Sequence, residues 1–192
     1  MSVLHYSRFI AALLLLIVSL CDLYSLVDAN QVSTIGDPIA EEILNATTAR
    51  NLQAYSSTGF QTLMLNAVNK ERTAQGLSKL CMNKKLQTAA QRHTTDMATK
   101  NYMSHTGSDG SSVSTRITAV GYKWSAVAEN VAAGQTTVDA VMKAWMSSSG
   151  HKTNILNSKY TMFGCGYAYS SSSTYKHYWT QDFGAGTTES CS

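Results

Sequence analysis

The sequence predicts an α+β domain in which helices pack on an antiparallel sheet, and three observations carry that expectation. Apolar residues recur at helical spacing through the middle of the chain. Near the C-terminus the period changes to strict alternation, as in paired strands. Strands and helices do not alternate along the chain, and no glycine-rich phosphate loop is present, so a doubly wound α/β fold is not expected.

The first helix begins near Gly59, with Phe60, Leu63, Met64, Ala67 and Val68 on its apolar side; Lys70 and Arg72 precede a C′ glycine at Gly76. Asn83 is the predicted cap of a second helix that ends near Lys100. Its inner face carries Leu86, Ala89, Ala90, His93 and Met97, so His93 reads as a core histidine. A short third helix is expected over 111–120, closed by Gly121. Residues 126–131 are β-prone. A fourth helix starts near Thr136 or Thr137 and buries Val138, Val141, Met142 and Trp145 at i, i+3, i+4 and i+7. Residues 161–170 and 175–184 alternate around a serine-rich turn and read as an antiparallel hairpin.

The N-terminus reads as an export signal. Arg8 precedes the apolar run Phe9 to Leu20, too short to span a bilayer as a helix, and Val27 and Ala29 are the small residues of a cut after Ala29. This gives a signal peptide over 1–29, a polar leader over 30–57, one domain over 58–188 and a tail over 189–192, with no transmembrane anchor after cleavage. Removal of the signal takes one of the 15 basic and two of the 12 acidic residues, leaving a net charge of about +4. There is no basic run and no aromatic platform interleaved with basic residues, which argues against nucleic acid as a partner. An extracellular, secreted protein is expected. Asn45, in Asn45-Ala46-Thr47, is then a glycosylation acceptor in the leader.

Cys21 leaves with the signal, and Cys81, Cys165 and Cys191 remain. A Cys81–Cys165 disulfide is favoured because both lie in regular segments, whereas Cys191 sits near the chain end; Cys165 with Cys191 is the rival pairing.

Three motifs carry the chemistry: YMSHTGSDG with His105, AENVAAG with Glu129 and SGHKTNIL with His151. Helix geometry cannot bring residues so far apart together, so a shared cavity must be a product of the tertiary fold. Two imidazoles and a carboxylate suit a zinc-like ion with positions open to water, or a hydrogen-bonded knot with no ion.

In order, VNKERTAQGLSKL (68–80), LQTAAQRHTTDMATKNYMSHTGSDGSS (86–112), RITAVGY (116–122), AENVAAG (128–134), VMKAWMSSSGHKTNIL (141–156), FGCGYAY (163–169) and YWTQDFG (178–184) resemble the CAP superfamily. These are also called SCP-like extracellular or pathogenesis-related-1-like proteins, and the likeness is to short, single-domain microbial members. The resemblance implies an α-β-α sandwich and a cavity lined by two histidines and two acidic residues. His105, Glu129 and His151 match three of these, whereas the fourth position is Ser148, a hydroxyl in place of a carboxylate. The metal set is thereby reduced to His105, Glu129 and His151, for Zn2+ or another divalent cation. The resemblance further implies a non-enzymatic binder of a lipid, sterol or cell-surface component. The alternative is a secreted hydrolase using Ser148 or Ser149 with His151 and Glu129, which requires a serine within hydrogen-bond reach of the imidazole.

Overall fold

The computed structural model describes residues 59–192; the predicted signal, the leader and the sequon at Asn45 lie outside them. Helix α1 (Gly59–Ala74) turns Phe60, Met64, Val68 and Arg72 to the interior, a four-residue repeat that places them on one stripe. Gly76 ends it with φ of 70°, where a side chain would be strained, and Leu77 N–H closes back on the Arg72 carbonyl.

Strand β1 (Cys81–Met82) is only two residues long and pairs parallel with β3 (Met162–Tyr169). Helix α2 (Lys84–Lys100) follows, capped by Asn83, whose side-chain oxygen accepts the Lys85 and Leu86 N–H groups. Helix α3 (Val113–Ala119) is closed at its start by a Ser112/Thr115 capping box. Strand β2 (Ala126–Ala133), helix α4 (Val138–Met146) and helix α5 (Ser149–Ile155) come before β3 and β4 (His177–Ala185). The sheet order is β1-β3-β4-β2, with β4 antiparallel to both neighbours.

Strand β4 is central, and both its faces are covered. Trp179 and Phe183 join Phe60, Met64, Val68, Trp145, Ile155 and Phe163 in the larger core, under α1, α4 and α5. Tyr178 faces the other way, against Met97 and Ala98 of α2, while Leu86, Ala89, Ile117 and Tyr122 fill the rest of that layer. The result is a three-layer α-β-α sandwich, as the resemblance implies.

Helix α2 lies so close to β3 that glycine is required beneath it. A Cβ on Gly164 would sit 2.2 Å from the Gln87 nitrogen, and one on Gly166 would sit 2.3 Å from Thr94 Oγ1. Because β1 is so short, it leaves the edge of β3 unpaired beyond Phe163. The Gln87 amide takes that edge at the N–H and C=O of Cys165, and Gln91 does the same at Tyr167. Two side chains thus stand in for a strand and protect the edge.

The predicted Cys81–Cys165 disulfide is not formed. Cys81 bonds Cys191 with the Cα atoms 5.6 Å apart, and Cys165 is a free, buried thiol. The reason is geometric: Cys165 points into the larger core from β3, while the C-terminal residues return along β1. Ser192 N–H donates to the Met82 carbonyl, and Asn83 Nδ2 donates to the Ser190 carbonyl. Glu189 completes the docking with a 2.9 Å ion pair to Lys85 and an acceptor for Lys123 N–H.

Candidate functional site

Glu129 sits on β2 with its side chain 1% exposed, where His93, His105 and Arg116 meet. Its Oε1 accepts from His105 Nδ1 at 2.9 Å, and its Oε2 accepts from Arg116 Nη2 at 2.5 Å. His93 Nε2 lies 4.0 Å from Oε1 and donates to the Ser104 carbonyl at 2.8 Å. A buried carboxylate needs such compensation, because desolvation alone would cost several kcal/mol.

Three pieces of local structure place these groups. Asn101 ends α2 in the left-handed conformation, φ 57°, and turns the chain into the His105 loop. Asp96, still on α2, binds that loop: it accepts from the Tyr102 hydroxyl and from the N–H and hydroxyl of Ser108. Arg116 on α3 gives its other terminal nitrogen to the Ser111 carbonyl at 2.8 Å. The loop is therefore held from both α2 and α3.

His151 arrives on α5. Asn154, one turn on, donates to the Glu129 carbonyl and to Asn130 Oδ1, and Asn130 Nδ2 donates to the His151 carbonyl. The two asparagines of AENVAAG and GHKTNIL are thus the clamp between β2 and α5. Ser148 is the N-cap residue of α5 without a side-chain capping bond. Among the described residues, no hydrogen bond joins Ser148 or Ser149 to His151.

The electrostatics follow from this packing. The hydrogen bond to Glu129 raises the pKa of His105, whose side chain is 58% exposed. Burial, then the charge of His105, lowers that of His151. Burial also lowers that of His93, against the pull of Glu129. Asp182 lies directly opposite Glu129 on β4, fully buried, and among the described residues it has no donor to either oxygen. Burial, with the Glu129 charge second, holds its carboxyl well above the ordinary range.

The fold brings His105 and Glu129 into contact and holds the His151 backbone against Asn130, the neighbour of Glu129. It also adds His93, Arg116 and Asp182, which the sequence reading did not assign to the site. For Asp182 the signal was the antiparallel alternation that puts one acidic residue opposite another. Arg116 gave no local signal.

As placed, these residues do not fit a resident divalent ion. Both Glu129 oxygens are taken, one by a guanidinium that repels cations, and among the described residues no three of His, Cys, Asp or Glu are grouped to hold a metal.

The comparisons with known proteins agree with this architecture. Uncharacterized protein YkwD of Bacillus subtilis (strain 168) is 34% identical over 155 residues, covering 81% of this chain and 57% of the relative. An extracellular protein containing a SCP domain from Bacillus anthracis superposes with a TM-score of 0.60 at 26% identity, over 67% of this chain and 41% of that one. An outer surface protein from Borrelia burgdorferi shares the fold, with a TM-score of 0.59 at 19% identity over 64% of this chain and 90% of that one. The chain thus spans about half the length of the two Bacillus proteins. Among the described residues no helix is long and apolar enough to cross a membrane. Residues 65–183 match the sequence model of the cysteine-rich secretory protein family, and the chain belongs to that family, the CAP superfamily.

Proposed function

We propose that this is an exported, non-enzymatic binding protein whose target is a lipid, a sterol or another cell-surface component. The observation that carries the non-enzymatic reading is the saturation of Glu129. A carboxylate held by Arg116 on one oxygen and His105 on the other acts as a tie between loops, not as a base awaiting a proton. Nor does a serine among the described residues hydrogen-bond His151 as a nucleophile requires, so no feature favours the hydrolase.

The groove between α1 and α4 suits an amphiphile. Its volume is about 350 Å³, Met142 and Met146 offer adaptable apolar surface, and Lys70 and Lys143 stand with Glu71 and Asp139 around them, a balanced set of charges for a polar headgroup. Export is supported by the N-terminal apolar run and by the extracellular character stated for the Bacillus anthracis protein. Binding of a radiolabelled fatty acid and a radiolabelled sterol to the secreted chain tests the reading. Saturable binding that Met146→Asp weakens supports it. Uptake no greater than by an unrelated secreted protein removes it.

A further inference from the structure

A second cavity, of about 340 Å³, opens between α2 and α3. It is separate from the α1/α4 groove, and its occupancy does not depend on lipid binding there.

Its wall includes His93 and Arg116, each of which ends in a buried polar atom without a partner among the described residues: His93 Nδ1 and Arg116 Nε. The other nitrogens of each group are engaged. His93 Nε2 donates to the Ser104 carbonyl, which can only accept, so Nδ1 of the neutral ring presents a lone pair. Both terminal nitrogens of Arg116 are engaged, on Glu129 and the Ser111 carbonyl, and Nε is its one buried nitrogen without a partner among the described residues. One acceptor nitrogen and one donor nitrogen are thus left without partners among the described residues. A hydroxyl is the smallest group that satisfies both, since it donates and accepts through one oxygen.

The rim has the same balance. Arg92 and Asp109 line the cavity; the Arg92 guanidinium makes no hydrogen bond among the described residues, and Asp109 uses only Oδ1, on Ser111 N–H. The second acidic residue, Asp96, is consumed by Tyr102 and Ser108. Two arginines against two aspartates leave no net charge to select an ion. Ala89 and Ala119 add small apolar surface suited to the C–H face of a ring. The volume lies at the low end for ligand pockets, the scale of one or two sugar rings.

We infer that the cavity between α2 and α3 is a binding site for a neutral polyhydroxylated ligand, a mono- or disaccharide. Ligand hydroxyls would pair with His93 Nδ1 and Arg116 Nε and reach Arg92 and Asp109. Because Arg116 also holds Glu129, occupancy here would be felt at the His105 site.

The test is a two-dimensional amide NMR titration of the full secreted chain with glucose, mannose, N-acetylglucosamine and maltose in turn. Glycine is the zwitterionic comparison. The expected result is saturable shifts centred on residues 89–96 and 116–120 with at least one saccharide. Loss of a charged hydrogen-bonding partner in Arg92→Ala should weaken them about tenfold. Ala119→Trp, which fills the mouth from an exposed position, should abolish them, and Lys152→Ala on α5 should leave them unchanged. No saccharide shift, meaning that ordered water alone occupies the cavity, overturns the inference. Shifts with glycine only, or shifts that survive Ala119→Trp, overturn it as well.

Discussion

Glu129 concentrates the residue-scale physics, because one buried carboxylate sets the state of three neighbours. His105 is held toward its charged form by it, so the pair stabilises the fold fully below the unfolded imidazole pKa of about 6.5 and loses that contribution as pH rises through the raised folded value. Glu129→Gln should lower the His105 pKa, read from its ring protons by NMR; an unchanged midpoint would mean the 2.9 Å contact is not electrostatic in origin. Arg116 opposes a cation at the same carboxylate. Arg116→Gln should therefore bind zinc more tightly than the parent in calorimetric titration, and equal affinities would contradict the assignment of Arg116 as the excluding group. Asp182 has the opposite linkage to an ordinary ion-paired carboxylate. Its folded pKa is raised, so between the unfolded value of about 3.9 and that raised value the unfolded chain binds fewer protons and stability falls as pH increases. Asp182→Asn, which keeps the shape and cannot ionise, should gain in Tm relative to the parent as pH goes from about 4 to about 8. A constant difference across that range would show that Asp182 is already ionised.

At the scale of elements, the buried Arg72 does the work of a missing turn. Although it is 1% exposed, its guanidinium donates to carbonyls, those of Ser78, Ile155, Asn157 and Tyr160, joining α1 to the end of α5 and the chain entering β3. Sequence pattern placed it before the C′ glycine that ends α1; only the position of α5 makes it a staple. Arg72→Met fills similar volume but strands those carbonyls, and should cost about 3 to 5 kcal/mol in urea unfolding. A cost below about 1 kcal/mol would mean that water replaces it freely. Four helices and both hairpin strands were legible from periodicity and caps. Helix α5 and strand β1 were not, for identifiable reasons. In α5 only Ile155 is buried, so SGHKTNI has no apolar stripe, and a two-residue strand has no period at all.

Over the whole molecule, the largest departure from the sequence reading is the covalent one. A chain end without apolar residues reads as loose, yet residues 189–192 dock on β1 and α2 through Glu189, Ser190, Ser192 and the Cys81–Cys191 bond. That bond joins residues 110 apart and should contribute about 4 to 5 kcal/mol by restricting the unfolded chain. Cys191→Ser should lower Tm accordingly, and peptide mapping under non-reducing conditions should recover Cys81 linked to Cys191. Recovery of Cys165 in a disulfide would refute the pairing. Cys165 is shielded by the core, where burial strongly raises its thiol pKa, so alkylation should require unfolding.

The sequence by itself determined the α+β class, the placement of most elements and the family, because periodicity, caps and ordered motifs are local properties. Only the tertiary structure decided which cysteines meet, that Arg116 and His93 close on Glu129, and that Asp182 is buried against it. Those outcomes depend on how α2, α3 and the strands are juxtaposed across the sheet, and hydrogen bonds between residues distant in sequence leave no period to read.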